Sequence, residues 1–171
     1  MKLKVIDGGI SCRPADGRGR YPVRGLHLID IENLVGRGLP SLAEIRGVQD
    51  GYAERLTFGA LDQVVVASSR LTLVNAGVGW PKARYRARSG RNGADSELLD
   101  VLWNERVAER FARVVIGSGD GAFADAAGSL TGAGVRVTVV SLRDHLSGRL
   151  RHAASDVIYL DDAPPPESVA A

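Results

Sequence analysis

Cysteine is almost absent: the 171 residues contain only Cys12. A single cysteine cannot form a disulfide within the chain, which excludes the small disulfide-stabilised domains of secreted proteins. The opening stretch MKLKVIDGGISCR lacks the apolar core of a signal peptide, and no run approaches the ~18 apolar residues that span a membrane. We therefore expect a cytoplasmic protein without membrane association.

Aromatic residues are few, and neither sign of charge is in large excess. The aromatic content is 5% and the formal net charge is +2. Charged residues make up 25% of the chain, the average for globular proteins, which argues against wholesale disorder. With 44% hydrophobic residues, the chain is long enough for one domain with a substantial core.

Short β-branched runs alternate with helical stretches from about residue 25 onward. The predicted strands are 25–30, 63–68, 82–88, 113–118, 135–141 and 156–160. The predicted helices are 39–57, 70–78, 96–111, 121–131 and 144–153. This alternation indicates βαβ units, so we predict a three-layer α/β/α Rossmann-like domain over residues 25–160, with a mostly parallel central sheet.

The two ends of the chain differ from this domain in composition. Residues 1–24 include the Gly- and Arg-rich stretch ADGRGRYPVRG, and we expect an N-terminal arm there, with an edge strand as the alternative. The segment DDAPPPESVAA at 161–171 contains three consecutive prolines and is expected to be a flexible tail.

Three aspartates fall where the carboxyl ends of the predicted strands meet. Asp30 ends the first strand, Asp120 follows the fourth strand, and Asp95 lies at the entrance of the long helix. Helix capping is the alternative explanation for Asp95 or Asp120 taken singly. Together, three carboxylates in one crevice would repel one another unless a cation joined them. Oxygen donors without a Cys or His pattern favour Mg²⁺ or Mn²⁺, and such an ion can activate a water to attack a phosphodiester.

Other polar residues lie near the same edge. Asn33 and Ser118 are candidates for polar support of a metal-bound water or a phosphate, although Asn33 suits a turn equally well. Asp125 is a candidate fourth acid, with surface charge as the default interpretation. Glu32 and Glu97 are expected to be solvated charges.

The three motifs resemble those of a known family. D-I-E-N at 30–33, N-G-A-D at 92–95 and G-S-G-D-G-x-F at 117–123 resemble, in this order, the motifs of NYN domains. These domains are PIN-like ribonucleases with a Rossmann-like fold and metal-dependent activity. The resemblance covers roughly residues 25–160 and implies catalytic, metal-binding acids at Asp30, Asp95 and Asp120. RNA as the substrate follows from the resemblance alone.

The third motif departs from the pattern of many relatives, which reads S-G-D-G-D-F. Here Ala122 replaces the second aspartate. This departure leaves three alternatives open: a site with one ion, recruitment of Asp125, or weak activity.

The same stretch also fits a dinucleotide-binding turn, because Gly117, Gly119 and Ala122 match G-x-G-x-x-A. Asp120 would repel a pyrophosphate at that turn. The following strand ends in Ser141 rather than in an acid that could bind ribose. The pattern therefore favours a metal over a nucleotide cofactor.

A basic segment precedes Asp95 in the sequence. It contains Arg84, Arg86, Arg88 and Arg91, and a row of guanidinium groups leading to a metal site is suited to a phosphate backbone. The alternative is a solvated edge strand whose charges prevent aggregation. His27 has no catalytic or metal-binding spacing and is expected to be a core or partly exposed histidine.

The sequence thus predicts a metal-dependent ribonuclease, a hydrolase that cleaves RNA through carboxylate-bound Mg²⁺ or Mn²⁺ and an activated water. The alternative is a weak or inactive RNA-binding or scaffold module with the same fold. The sequence leaves open the target RNA, the number of ions and the oligomeric state, a homodimer included.

Overall fold

The computed structural model describes residues 24–162. The predicted N-terminal arm and C-terminal tail therefore lie outside the described residues, apart from their innermost positions. Within residues 24–162, no helix is both long enough and apolar enough to cross a membrane.

Six strands form one sheet in which every pair of neighbours is parallel. The strands are β1 (Gly25–Asp30), β2 (Gln63–Ser68), β3 (Arg84–Ala87), β4 (Arg113–Gly117), β5 (Arg136–Ser141) and β6 (Asp156–Tyr159). Their order across the sheet is β3-β2-β1-β4-β5-β6. The predicted α/β/α fold is confirmed, and the sheet is parallel throughout rather than mostly so.

Helices connect the strands. They are α1 (Ile31–Val35), α2 (Leu42–Arg55), α3 (Leu73–Gly79), α4 (Gly93–Asn104), α5 (Val107–Arg110), α6 (Ala124–Gly132) and α7 (Gly148–Ala153). Short 3₁₀ turns at Gly121–Phe123 and Arg143–His145 precede α6 and α7.

The helices differ from prediction more than the strands do. The prediction missed α1, which has only five residues. The helix predicted over 96–111 is divided, because Arg106 adopts a left-handed φ of 52° between α4 and α5. The helix predicted over 144–153 begins only at Gly148.

Two hydrophobic clusters cover the two faces of the sheet. Alternate residues of the central strands enter opposite clusters: Leu28 lies in the cluster beneath α4 and α6, and Ile29 in the cluster beneath α1 and α2. All six residues of β1 are buried. The central strand is therefore packed on both faces along its whole length, and it carries Asp30 at its buried end.

His27 lies inside this core, as expected. Its Nδ1 is 2.7 Å from the Tyr52 hydroxyl and its Nε2 is 3.3 Å from Oδ2 of Asp62, while Phe58 stacks on its ring. Burial lowers the pKa of His27 more strongly than the Asp62 carboxylate raises it. The imidazole is therefore neutral and has its partners at the end of the sheet opposite the three aspartates.

The chain reverses its direction across the sheet between β1 and β4. It runs outward from β1 to β2 and β3, then crosses by α4 to β4 and continues to β5 and β6. Open α/β sheets bind ligands at the carboxyl ends of the two strands that flank such a switch point. Here those ends carry Asp30 and the turn from Ser118 to Asp120.

Candidate active site

Asp30 is the last residue of β1 and caps α1. Its Oδ1 accepts a hydrogen bond of 3.1 Å from the backbone N–H of Asn33. The residue is only 5% exposed. The D-I-E-N motif therefore places a carboxylate at the buried end of the central strand and holds it there with the first turn of α1.

Asp95 reaches the same place from the first turn of α4. In the N-G-A-D motif, Asn92 has a left-handed φ of 61°, and a Cβ on Gly93 would lie 2.2 Å from the carbonyl oxygen of Arg88. Only glycine permits this close approach, which turns the chain sharply from β3 into α4. The helix begins after Asn92 without a side-chain cap, so Asp95 is not the capping residue. Its side chain points into the fold, and Asp95 is 7% exposed.

The carboxyl groups of Asp30 and Asp95 are close enough to influence each other's pKa. Burial raises the pKa of Asp30 well above its ordinary range, and contact with Asp95 raises it further. Burial also raises the pKa of Asp95. Burial and the neighbouring carboxyl group therefore both favour the protonated form of Asp30. Oδ1 of Asp95 is buried and, among the described residues, has no hydrogen-bond partner.

Asp120 lies within electrostatic reach of this pair. Its charge raises the pKa of Asp95. Its Oδ1 caps the 3₁₀ turn by accepting a hydrogen bond of 2.8 Å from Ala122 N–H. The buried hydroxyl of Ser118 accepts a hydrogen bond of 3.2 Å from Asp120 N–H. Asp120 thus both caps a turn and faces the buried pair, while Ser118 supports the turn.

Asn33 joins the first motif to the third. Its Oδ1 accepts a hydrogen bond of 2.9 Å from Gly119 N–H. A Cβ on Gly119 would lie 2.3 Å from the carbonyl oxygen of His145, so the turn can pack here only with glycine. The amides of Gly119, Asp120 and Ala122 all donate to side chains of the protein. A pyrophosphate needs free amides, so this turn is poorly suited to a dinucleotide.

Glu32 is a fourth carboxylate at this site, and the sequence interpretation missed it. The residue is half-buried rather than solvated: Oε1 accepts a hydrogen bond of 2.8 Å from Ser69 N–H, and Oε2 is buried without a partner among residues 24–162. The charge of Glu32 raises the pKa of both Asp30 and Asp95. Its position two residues after Asp30, at the carboxyl edge of the sheet, was the available sequence signal.

Asp125 is directed elsewhere. Its side chain is 81% exposed and forms a 3.0 Å ion pair with Arg149. It is not among the groups that raise the pKa of Asp30 or Asp95. The structure therefore places Glu32, and not Asp125, beside the three predicted aspartates.

The side chains as they stand do not form a ready-made metal site. Across residues 24–162, no three His, Cys, Asp or Glu side chains are arranged to hold an ion. Asp30 accepts a hydrogen bond from Asn33 N–H, and Asp120 accepts one from Ala122 N–H. The donor set nevertheless suits Mg²⁺ or Mn²⁺: it consists of carboxylates, and two buried carboxylate oxygens have no partner in the described part of the chain.

Three of the four predicted RNA-binding arginines are ion-paired with acids of the α4 region. Arg84 makes two hydrogen bonds, of 3.0 and 2.7 Å, to the carboxylate of Glu105. Arg86 contacts the same carboxylate at 3.1 Å, and both Arg86 and Arg88 pair with Glu97. These bonds fasten the edge strand β3 to α4.

Arg91 differs from these three arginines. It is exposed in the loop between β3 and α4, four residues before Asp95, and it forms no ion pair with any residue that the structure describes. Arg88 keeps 60% of its side chain exposed despite its partner. The cationic groups available to a ligand are therefore fewer than the sequence predicts, and they lie at the α4 end of the segment.

Comparison with known proteins identifies the fold and the family. A sequence model of the NYN domain matches residues 56–161, which include Asp95 and Asp120 but begin after Asp30. A crystal structure of a protein of unknown function from Vibrio parahaemolyticus superposes with a TM-score of 0.57 at 16% sequence identity, covering 85% of this chain and 97% of that chain. At this identity the match shows a shared fold alone. No curated protein matches the sequence significantly.

Proposed function

The chain belongs to the NYN domain family of the PIN-like superfamily, and on that premise we propose that it is a metal-dependent ribonuclease. Asp30, Asp95 and Asp120 would bind Mg²⁺ or Mn²⁺ as the catalytic acids. The observation that carries this proposal is the placement of two buried carboxyl groups, Asp30 and Asp95, within electrostatic reach of Asp120 at the switch point of the sheet. RNA as the substrate rests on family membership.

A divalent ion bound here would supply a Lewis acid that activates water and stabilises negative charge on the phosphodiester. The chain's own residues do the positioning. Asn33 holds Asp30 through its backbone N–H and holds the Asp120 turn through its side chain. The spacing between the acids of the first and third motifs is therefore set by one residue, with Ser118 supporting the turn from within.

The arginines of 84–91 would divide two tasks between them. Arg84 and Arg86, each paired with Glu105 at the C-terminal end of α4, keep β3 against the helix that carries Asp95, and Arg86 also pairs with Glu97 near the start of that helix. Arg91, and Arg88 through its exposed part, would contact the phosphate backbone of RNA. All four contribute to RNA binding in this proposal, two of them indirectly.

The test is cleavage of a labelled single-stranded RNA by the full chain in Mg²⁺ or Mn²⁺. We expect cleavage that excess EDTA abolishes and added Mn²⁺ restores. Asp95→Asn should reduce the rate by about 100-fold or more, because a ligand carboxylate is lost. Asp100→Asn, an exposed acid on the same helix, is the matched control and should cleave at nearly the normal rate. Cleavage that persists in EDTA would contradict the proposal.

A second candidate function is RNA binding without cleavage. Two observations favour it: Ala122 stands where many relatives have an acid, and Asp120 is engaged in capping a turn. Such a module would bind RNA with a steep dependence on salt and would cleave nothing with any divalent ion. The same assay separates the two functions when the binding of RNA is measured alongside its cleavage.

A further inference from the structure

We propose that Glu32 is a fourth metal-ligating carboxylate of this site and replaces the acid that is missing at Ala122. The inference rests on the proposed function, because it assigns a ligand to the same ion. It concerns a residue that lies outside the segment matched by the family model.

The side chain of Glu32 is held in position by one oxygen while the other is left without a partner. Oε1 accepts a hydrogen bond of 2.8 Å from Ser69 N–H, just beyond the end of β2. Oε2 is buried and has no hydrogen-bond partner among the described residues. A buried carboxylate oxygen without a donor is costly, and α1 has no need of it, because Asp30 already caps that helix.

An independent observation from another element points to the same ligand. Asp95, on α4, is 7% exposed, and its Oδ1 is likewise buried without a partner in the described structure. Glu32 follows Asp30 by two residues at the carboxyl edge of the sheet, and its charge also raises the pKa of Asp95, so these three carboxylates lie at the same end of the sheet. A divalent cation bound among these carboxylates would satisfy such oxygens and offset the repulsion among the negative charges.

The third motif cannot supply the missing acid itself. Ala122 is exposed and its N–H is bound by Asp120, while Asp125 pairs outward with Arg149. That motif contributes one carboxylate, and the first motif contributes two, Asp30 and Glu32. The site thus has as many metal-binding acids as the family pattern, but one of them, Glu32, comes from α1 and not from the third motif.

The test compares Mn²⁺ binding to the full chain by isothermal titration calorimetry, with no RNA present. Glu32→Gln keeps an oxygen that can accept from Ser69 N–H, so the fold should persist, and thermal unfolding checks this. We expect the Mn²⁺ affinity to fall by at least about tenfold. Glu54→Gln, the same change at an exposed acid of α2, is the control and should bind Mn²⁺ within about twofold of the unaltered protein.

Shortening the side chain separates a ligand from a nearby charge. Glu32→Asp keeps the negative charge but withdraws the carboxylate by one methylene group, so an effect of Glu32 through space alone should leave the Mn²⁺ affinity of this variant close to that of the unaltered protein. A loss of affinity comparable to that of Glu32→Gln supports direct ligation. Adding Ala122→Asp to Glu32→Gln should restore most of the affinity, and failure to do so would overturn the claim that Glu32 replaces the acid at position 122.

Two further outcomes of the Mn²⁺ titration distinguish failure of the ligand role of Glu32 from failure of the proposed nuclease function. Equal Mn²⁺ affinity in the Glu32→Gln variant and the unaltered protein would overturn the ligand role and leave the proposed nuclease intact. Absence of Mn²⁺ binding by the unaltered, folded protein would overturn both.

Discussion

The side chain of Asn33, on α1, accepts a 2.9 Å hydrogen bond from the backbone N–H of Gly119, which follows β4. This bond crosses the switch point of the sheet and joins two motifs that are 86 residues apart in sequence. It connects the element that carries Asp30 to the turn that carries Asp120, so the geometry of the candidate site depends on it.

Replacing Asn33 by Ala should therefore disturb both stability and the site. Gly119 N–H would lose its acceptor, and an unsatisfied buried amide costs about 1–3 kcal/mol in free energy of unfolding. Urea unfolding measures that loss, and hydrogen exchange of the Gly119 amide should accelerate in the variant. Asn33→Asp keeps an acceptor oxygen and should preserve the protection of this amide. Unchanged exchange in the Ala variant would show that the bond does not form.

Asp30→Asn should stabilise the metal-free protein at pH 7 while it abolishes cleavage. Burial and Asp95 raise the folded-state pKa of Asp30 above its unfolded value. The folded chain therefore holds more protons than the unfolded chain between these two pKa values, and stability declines as the pH rises through that window. Asparagine removes this decline and can donate an N–H to Asp95. We expect a gain of about 1–3 kcal/mol at pH 7.

The pH dependence is the control for this prediction. Near pH 4 and below, Asp30 is protonated in both states, so the stabilisation should shrink toward zero. Thermal unfolding of both proteins at pH 4 and pH 7 makes the comparison. An equal gain at both pH values would show that the effect does not come from the ionisation of Asp30.

Arg91→Ala and Arg84→Ala should have different effects on RNA binding. Arg91 has no ion-pair partner in the described part of the chain, so its loss removes a phosphate contact: affinity for a single-stranded RNA should fall and the salt dependence of binding should become shallower. Arg84 is bound to Glu105 by two hydrogen bonds, so its loss should mainly lower thermal stability. Fluorescence anisotropy at several salt concentrations measures both the affinity for RNA and the salt dependence of that affinity. Equal changes in the salt slope would contradict this division of roles.

Much of the fold could be predicted because each buried parallel strand corresponds to a short run of apolar residues in the sequence. QVVVAS is strand β2 at the predicted boundaries, and GLHLID is strand β1. Since parallel strands end at a common edge, the positions of Asp30 and Asp120 at that edge followed from the alternation of strands and helices. The five-residue helix α1 was missed because it is too short to show helical periodicity.

The parts that the sequence could not reveal depend on contacts between distant segments. The sequence alone suggests that Glu32 is a surface charge, because its hydrogen-bond donor, Ser69 N–H, is 37 residues away. The sequence alone suggests that Arg84 and Arg86 are unpaired cations, but the packing of α4 on β3 places Glu105 within ion-pair distance of both. Such partners are determined by tertiary packing. The strand period of two residues and the helix period of 3.6 residues predict local structure, but not which distant residues meet.

The buried contact between His27 and Asp62 predicts that stability falls in acid. Burial lowers the pKa of His27, so below about pH 6.5 the unfolded chain takes up a proton that the folded chain does not, and stability declines. Burial raises the pKa of Asp62, but bonds from His27, Gly59 N–H and Gly25 N–H, together with Arg113, outweigh it and hold that pKa well below its ordinary range. Asp62 therefore stabilises the fold above about pH 4, and this contribution is lost as the pH falls further.

Asp62→Asn separates the two contributions. At pH 7 the variant should unfold with about 2–4 kcal/mol less free energy, because charged hydrogen bonds to His27, Gly25 N–H and Arg113 are lost or weakened. As the pH falls from 4 to 2, the unaltered protein loses the stabilisation that Asp62 provides and the variant has none to lose, so the two free energies of unfolding in urea should converge. Curves that stay parallel through that range would mean that Asp62 is not ionised in the folded protein and would contradict this prediction.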